Sequence, residues 1–297
     1  MKYTILVLIF LVSCSSTPEK NNKTSSIYKN ANLKKTKPLT NADISDFYPA
    51  IKNTLNPALQ DETVDRFTKD ELASIKLTGD PLVAISVHCS KNDFKNAFEV
   101  ASQNFNSYLK VASYWNVVAN CHLNQGNFRK ALLFYNKALE VTPNYVPALN
   151  NIGVMYSRLG EHQKALVAFE KANKISKFSK TPRYNLAKVQ LTYGMADSAL
   201  VIFKSLLSQS PDDVDILNAT AACYFLMSDY QSALGYYNRI PSSQLGRAEI
   251  GLNFALTLKK IGKPKEAQQI FANVKMPKSG NLKKYYSIIQ NKLGDAE

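Results

Sequence analysis

Residues 115–143 read WNVVANCHLNQGNFRKALLFYNKALEVTP, and the spacing of small and aromatic residues in this stretch decides the fold. Ala119, Gly126, Ala131, Tyr135 and Ala138 mark its positions, and the same marks return at a fixed interval. Ala131, Ala165, Ala199, Ala233 and Ala267 lie 34 residues apart. Four residues after each stand Tyr135, Phe169, Phe203, Tyr237 and Phe271, and five before each stand Gly126, Gly160, Gly194, Ser228 and Gly262. Twelve before them are Ala119, Gly153, Ala187, Ala221 and Ala255. Copies in unbroken register at this period are the signature of a repeat architecture.

The period and the marked positions resemble the tetratricopeptide repeat, a helix–turn–helix unit. Trp115, Ala119, Gly126, Phe128, Ala131, Tyr135, Ala138 and Pro143 carry the resemblance in one copy. Leu149, Ile152, Gly153, Tyr156, Gly160, Ala165, Phe169 and Ala172 carry it in the next. Two departures are Lys177, where proline is common, and Pro264 at the start of a second helix, where proline is tolerated. The residue types have packing reasons. Small residues let the first helix of a unit lie against the second, and glycine ends the first helix in a left-handed conformation without a Cβ penalty. Aromatics fill the gap to the next unit, and each hairpin alone leaves a hydrophobic face bare, so units must stack.

The resemblance therefore implies an all-α fold, a TPR-type α-solenoid wound as a right-handed superhelix. Six copies are expected: a degenerate one at 78–111, on the register of Phe94 and Ala97, then 112–145, 146–179, 180–213, 214–247 and 248–281. An N-terminal helical cap is expected over 41–77, with Val64, Phe67, Leu72 and Ile75 on one helical face. A C-terminal capping helix is expected over 282–297, as terminal units of such arrays are atypical.

In this family the first helices line a groove that takes an extended segment or a partner helix. Carried over by register, the groove residues are Asn116, Asn120, Asn124, Asn150, Arg158, Tyr184, Lys188, Asn218 and Phe225. Asn116, Asn120 and Asn124 follow i, i+4, i+8 spacing, which puts three amides on one helix face. Asparagine offers both donors and an acceptor to a peptide backbone, and a solvated polar face is the other reading of the same residues. The clamp for an acidic C-terminus known from chaperone adaptors is not carried over, because Asn116 stands where a basic residue would be wanted.

Lys2 precedes an apolar run from Ile5 to Val12, too short for the about 20 residues of a membrane span but of the length of a signal-peptide core. It ends in Leu11-Val12-Ser13-Cys14, which resembles the lipobox of bacterial lipoproteins. That resemblance implies a signal peptide over 1–13 and lipidation of Cys14, with palmitate among its acyl chains; an ordinary secretory signal with a chance cysteine is the alternative. Several acyl chains anchor stably where one is marginal. Ser15, with no aspartate in its place, implies transfer to the outer membrane, facing the periplasm. Residues 14–40 read as a flexible basic tether of net charge +5, either a solvated spacer or a segment drawn to anionic headgroups.

The chain has 297 residues and a formal net charge of +14, with 45% hydrophobic and 20% charged residues, which excludes disorder along its bulk and argues for an anionic partner or surface. The basic residues concentrate toward the C-terminus, where Lys259, Lys260, Lys263, Lys265, Lys283 and Lys284 form a basic face suited to an acidic partner or anionic wall polymer, or simply to solvent. No nucleic acid is expected, given the exported address. His88, Cys89, Cys121 and His122 recur in neighbouring copies, and packing, a Cys89–Cys121 disulfide and a zinc site are open readings. Neither a catalytic motif nor a cofactor loop stands in the sequence. Asp212, Asp213 and Asp215 read as a helix cap, not an active-site cluster.

The function expected is that of a membrane-anchored adaptor in the bacterial cell envelope, not an enzyme, that holds an exported protein in its groove. Anchor and repeats together resemble the lipoproteins that assist secretins of type IV pili. A recruiter of peptidoglycan hydrolases or proteases is the alternative.

Overall fold

The computed structural model describes residues 79–277 and 280–294. The expected signal peptide, Cys14, the tether and the 41–77 cap lie outside the described residues. The helices are α1 (Pro81–Ser90), α2 (Phe94–Tyr108), α3 (Ala112–Asn124), α4 (Phe128–Val141), α5 (Val146–Arg158), α6 (His162–Ile175) and α7 (Lys180–Thr192). They continue as α8 (Ala196–Leu207), α9 (Val214–Leu226), α10 (Tyr230–Tyr237), α11 (Ala248–Lys260), α12 (Pro264–Ala272) and α13 (Gly280–Gly294), with one 3₁₀ turn at Ser242–Gln244. No strand occurs among the described residues, so the fold is all-α.

The described residues divide into two compact units, 79–182 and those from 183 on. In the first, α1 and α2, α3 and α4, and α5 and α6 pair as hairpins, and α3 also packs on α1 and α5. In the second, α9 and α10 and α11 and α12 pair likewise, and α11 packs on α9 and α13. Each unit thus has a layer of first helices and a layer of second helices. The layers differ in burial. α3 buries residues around nearly its whole circumference, whereas α4 buries the stripe Ala131, Tyr135 and Ala138, at i, i+4, i+7 spacing.

The turn between the helices of a hairpin is the same in every copy. Gly126, Gly160, Gly194 and Gly262 have φ between 74° and 80°, the left-handed region that glycine enters freely. Where glycine is missing, Asn92 and Ser228 hold the same conformation at φ 59° and 64°. The small residue in the middle of the first helix has an equally direct cause: a Cβ added to Gly153 would stand 2.6 Å from the Phe169 ring. Asp213 caps α9, accepting from the backbone N–H of Asp215 at 3.1 Å and of Ile216 at 3.2 Å, whereas the Asp215 carboxylate pairs with Arg247. Pro264 starts α12 without penalty, since its missing N–H has no helical partner there.

Candidate protein-interaction face

The register positions fall in both units. Asn116, Asn120 and Asn124 stand on α3, and Asn150 and Arg158 on α5. Tyr184 and Lys188 stand on α7, and Asn218 and Phe225 on α9. The amides of the first unit are not an open ladder. Asn116 and Asn150 have 0% exposed surface. Asn151, which the register did not select, ties them together. Its Nδ2 donates to Asn116 Oδ1 at 3.1 Å and to Asn120 Oδ1 at 3.0 Å, and its Oδ1 accepts from Asn150 Nδ2 at 3.2 Å. The Tyr135 hydroxyl donates to Asn120 Oδ1 at 2.7 Å, so both acceptor sites of that oxygen are occupied from within. This network joins α3, α4 and α5 and fixes which faces of them meet. The signal for it in the sequence was the doublet Asn150-Asn151, two amides on adjacent faces of a helix packed against α3.

In the second unit, the Lys188 ammonium stands 5.7 Å from the Tyr184 ring centroid, and Tyr184 meets Phe203 edge-on at 5.6 Å. Asn218 is buried on α9, and its Oδ1 makes no hydrogen bond within the described residues. Phe225 belongs to the hydrophobic core, packed on Tyr230 at 5.1 Å, and is not the apolar floor that its register position suggests. The partly exposed members of the set are therefore Asn120, Asn124, Arg158, Tyr184 and Lys188.

His88, Cys89, Cys121 and His122 are each engaged by other residues of the chain. Cys89 on α1 and Cys121 on α3 form a disulfide, with Cα atoms 5.2 Å apart. His88 Nδ1 pairs with Asp93 Oδ2 at 2.8 Å. That contact, after the Asn96 side-chain hydrogen bond, holds the Asp93 carboxyl below its ordinary range. His122 lies stacked between Phe98 at 4.5 Å and Phe134 at 5.2 Å, and burial first, then the Lys130 charge, pushes its pKa down to about 4. Among the described residues no cluster of three His, Cys, Asp or Glu could hold a metal ion. Cys223 is free and buried, its thiol pushed up to about 12 chiefly by burial, which makes it inert at neutral pH.

The basic face is carried by α11–α13 and the turns between them. Lys260, Lys263, Lys265, Lys283 and Lys284 are exposed, while Lys259 is half-buried and donates to the Lys292 carbonyl. Lys263 pairs with Glu266 at 2.8 Å, which removes one charge from the face.

Hairpins stacked in register, with conserved turn geometry inside the chain itself, define an α-helical repeat protein that presents helix faces to a partner. Two models described as tetratricopeptide repeat match residues 112–145 and 134–167, so the hairpins of that stretch are tetratricopeptide repeats. Anaphase-promoting complex subunit 3 of Schizosaccharomyces pombe is 28% identical over 127 residues, 43% of this chain but 18% of that protein, so the match spans under a fifth of the relative's length. Among solved structures, Pseudomonas aeruginosa pilF is similar at TM-score 0.60 and 17% identity, over 71% of this chain and 96% of that one. PilW, described as a widely conserved type IV pilus biogenesis factor, is similar at TM-score 0.58 and 19% identity, over 69% and 96%. At these identities the likeness is one of fold.

Proposed function

We propose that the chain is a lipid-anchored scaffold of the bacterial cell envelope whose first-helix layer holds an exported protein during assembly of a pilus or secretion-system component. The observation that carries the reading is the joint presence of Leu11-Val12-Ser13-Cys14 and the tetratricopeptide array in one chain. The fold shared with pilF and PilW over 96% of both those chains supports the pilus assignment. Lipids on Cys14 hold the protein to the outer membrane, residues 14–40 give it reach, and partly exposed side chains of the first-helix layers meet the client. A repeat array binds without chemistry, so its effect is to localise and stabilise the client.

The test is affinity capture of the full-length lipoprotein from detergent-solubilised envelopes, beside Lys188→Glu and Asn124→Ala variants shown to be folded by circular dichroism. Recovery of a secretin subunit, lost in the variants, is the expected result. Recovery of a wall hydrolase would favour the recruiting adaptor, for which the lysines of α11–α13 offer a contact to anionic wall polymer. A partner that survives both substitutions would remove the first-helix layer as its site. Palmitate incorporation that persists in Cys14→Ala would overturn the anchor independently.

A further inference from the structure

Phe178 stands at the end of the third complete hairpin with 86% of its surface exposed, the largest exposure among the buried-type side chains of the described residues. It is held there by local structure. Ser176 closes α6, its N–H bonding the Ala172 carbonyl at 2.9 Å, and the Ser179 N–H returns to the Ser176 carbonyl at 3.3 Å. Lys177 and Phe178 are therefore the two central residues of a tight turn, where side chains point outward.

The repeat itself does not ask for an aromatic here. The equivalent positions of other copies hold Lys110, Asn144, Asp212 and Gly246, all polar or without a side chain. The flanking sequence is one-signed: Lys171, Lys174, Lys177 and Lys180 recur at every third residue, and no acidic residue occurs between Glu170 and Asp197. Lys174 and Lys177, four and one residues before Phe178, are both exposed.

A protein partner would need a patch of about 800 Å² on each side, with an apolar centre larger than one ring. A single protruding aromatic in a lysine-rich stretch matches instead the chemistry of a bilayer surface, where an apolar ring enters the boundary of headgroups and acyl chains and lysines are drawn to anionic lipid. We infer that the turn Ser176–Ser179 is a membrane-touching tip, with Phe178 entering the interface of an anionic phospholipid bilayer and Lys174 and Lys177 meeting its headgroups. The inference does not depend on the anchor at Cys14, because it concerns a second point of contact far along the chain.

The experiment places a reporter at the tip. The full-length chain carrying Phe178→Trp and Trp115→Phe is reconstituted on phosphatidylcholine vesicles with and without phosphatidylglycerol, so that any anchor acts equally in both. The expected result is a blue shift of tryptophan emission, with quenching by brominated lipid, on the anionic vesicles only. The shift is lost in Lys174→Glu/Lys177→Glu and weakened by salt. Emission that stays at its aqueous position on anionic vesicles would overturn the inference. So would an equal shift on both vesicle types. A shift produced by soluble polyglutamate without vesicles would overturn it in favour of an acidic macromolecule.

Discussion

Up to residue 182 the second helices of the hairpins run 15, 14 and 14 residues; beyond it they run 12, 8 and 9. The first helices α3, α5, α7, α9 and α11 are 13 residues each, and the terminal α1 has 10. The conserved part of the repeat is therefore the first-helix layer, buried nearly all round, and variation is tolerated in the second layer, which buries one stripe. The second unit replaces helix with linkers that pack. After α10, Ile240 turns inward before Pro241, and after α12, Val274 is buried. The Lys275 N–H bonds the Gly246 carbonyl at 3.1 Å. The linkers reach α11 closely, and a Cβ on Gly251 would meet the Leu245 carbonyl oxygen and Val274 Cγ2, both at 2.4 Å.

The units also fasten their first helices differently. The first uses a covalent bond between α1 and α3 and an amide network between α3 and α5. The second uses Arg247, whose guanidinium bridges Asp215 at 2.7 Å and Glu249 at 2.8 Å, and a Tyr285 hydroxyl donating to Asn253 at 3.1 Å. The Arg247 pairs are partly exposed and contribute modestly. A cross-link that closes a loop of 32 residues contributes about 3–4 kcal/mol in the chain-entropy account. Cys89→Ser/Cys121→Ser should therefore lower the stability of the first unit by that amount. Hydrogen exchange resolved by segment checks it: protection should fall in α1–α4 and hold in α9–α13. Equal losses in both units would mean that they unfold together.

The next effect compares two glycines. Gly153→Ala forces its methyl into the Phe169 ring, a side chain that can move, and overpacking of this kind costs about 1–3 kcal/mol. Gly251→Ala meets a backbone carbonyl that belongs to a folded linker, and should cost at least as much. Urea midpoints of the two variants decide it. A milder loss at Gly251 would show that the linker packing of the second unit is loose.

Acid should separate the units in a third way. His122 has its pKa lowered to about 4 from an ordinary 6.5, so the unfolded chain takes up its proton first as pH falls. Its contribution is intact above pH 6.5 and is lost progressively as pH falls toward 4. The first unit should lose stability across that window. His122→Phe, which keeps a ring between Phe98 and Phe134, should flatten the slope in urea melts at pH 7 and 5.

Much of this organisation was legible in the chain. The 34-residue register located the hairpins because small residues and aromatics are dictated by packing at fixed points, and Asp213 read as a cap because a carboxylate before a helix has an unpaired N–H to accept from. The candidate face was less legible. Register says which helix side a residue occupies but not what lies opposite, so Asn116 and Asn120 could not be seen to face Asn151, nor Phe225 to face Tyr230. The disulfide stayed open for the same reason: spacing placed Cys89 and Cys121 in adjacent copies, and only the approach of α1 to α3 brings them to 5.2 Å. The early end of α10 has a local signal in Pro241, which disfavours helix at Ile240, but the burial of Ile240 in the core is not given by the register.

The smallest expected effect lies at the hairpin turns, where each unit has one exception to the glycine rule. Asn92 and Ser228 hold positive φ in place of glycine. For an L-residue that conformation costs about 1–2 kcal/mol, and asparagine bears it more readily than serine because its side chain bonds locally. Ser228→Gly relieves the cost, and part of the relief is offset by about 0.5–1 kcal/mol from the greater freedom of glycine in the unfolded chain. The net gain should be positive but below about 1 kcal/mol, and smaller still for Asn92→Gly. Gly160→Ala should lose up to about 1 kcal/mol by the reverse argument, with the same offset, since open space surrounds its Cβ position and backbone conformation alone acts. Thermal melts of the three variants test one geometry in three settings. A gain at Ser228 with no loss at Gly160 would mean that the second unit alone strains its turns, and that the two units share the turn in shape but not in energy.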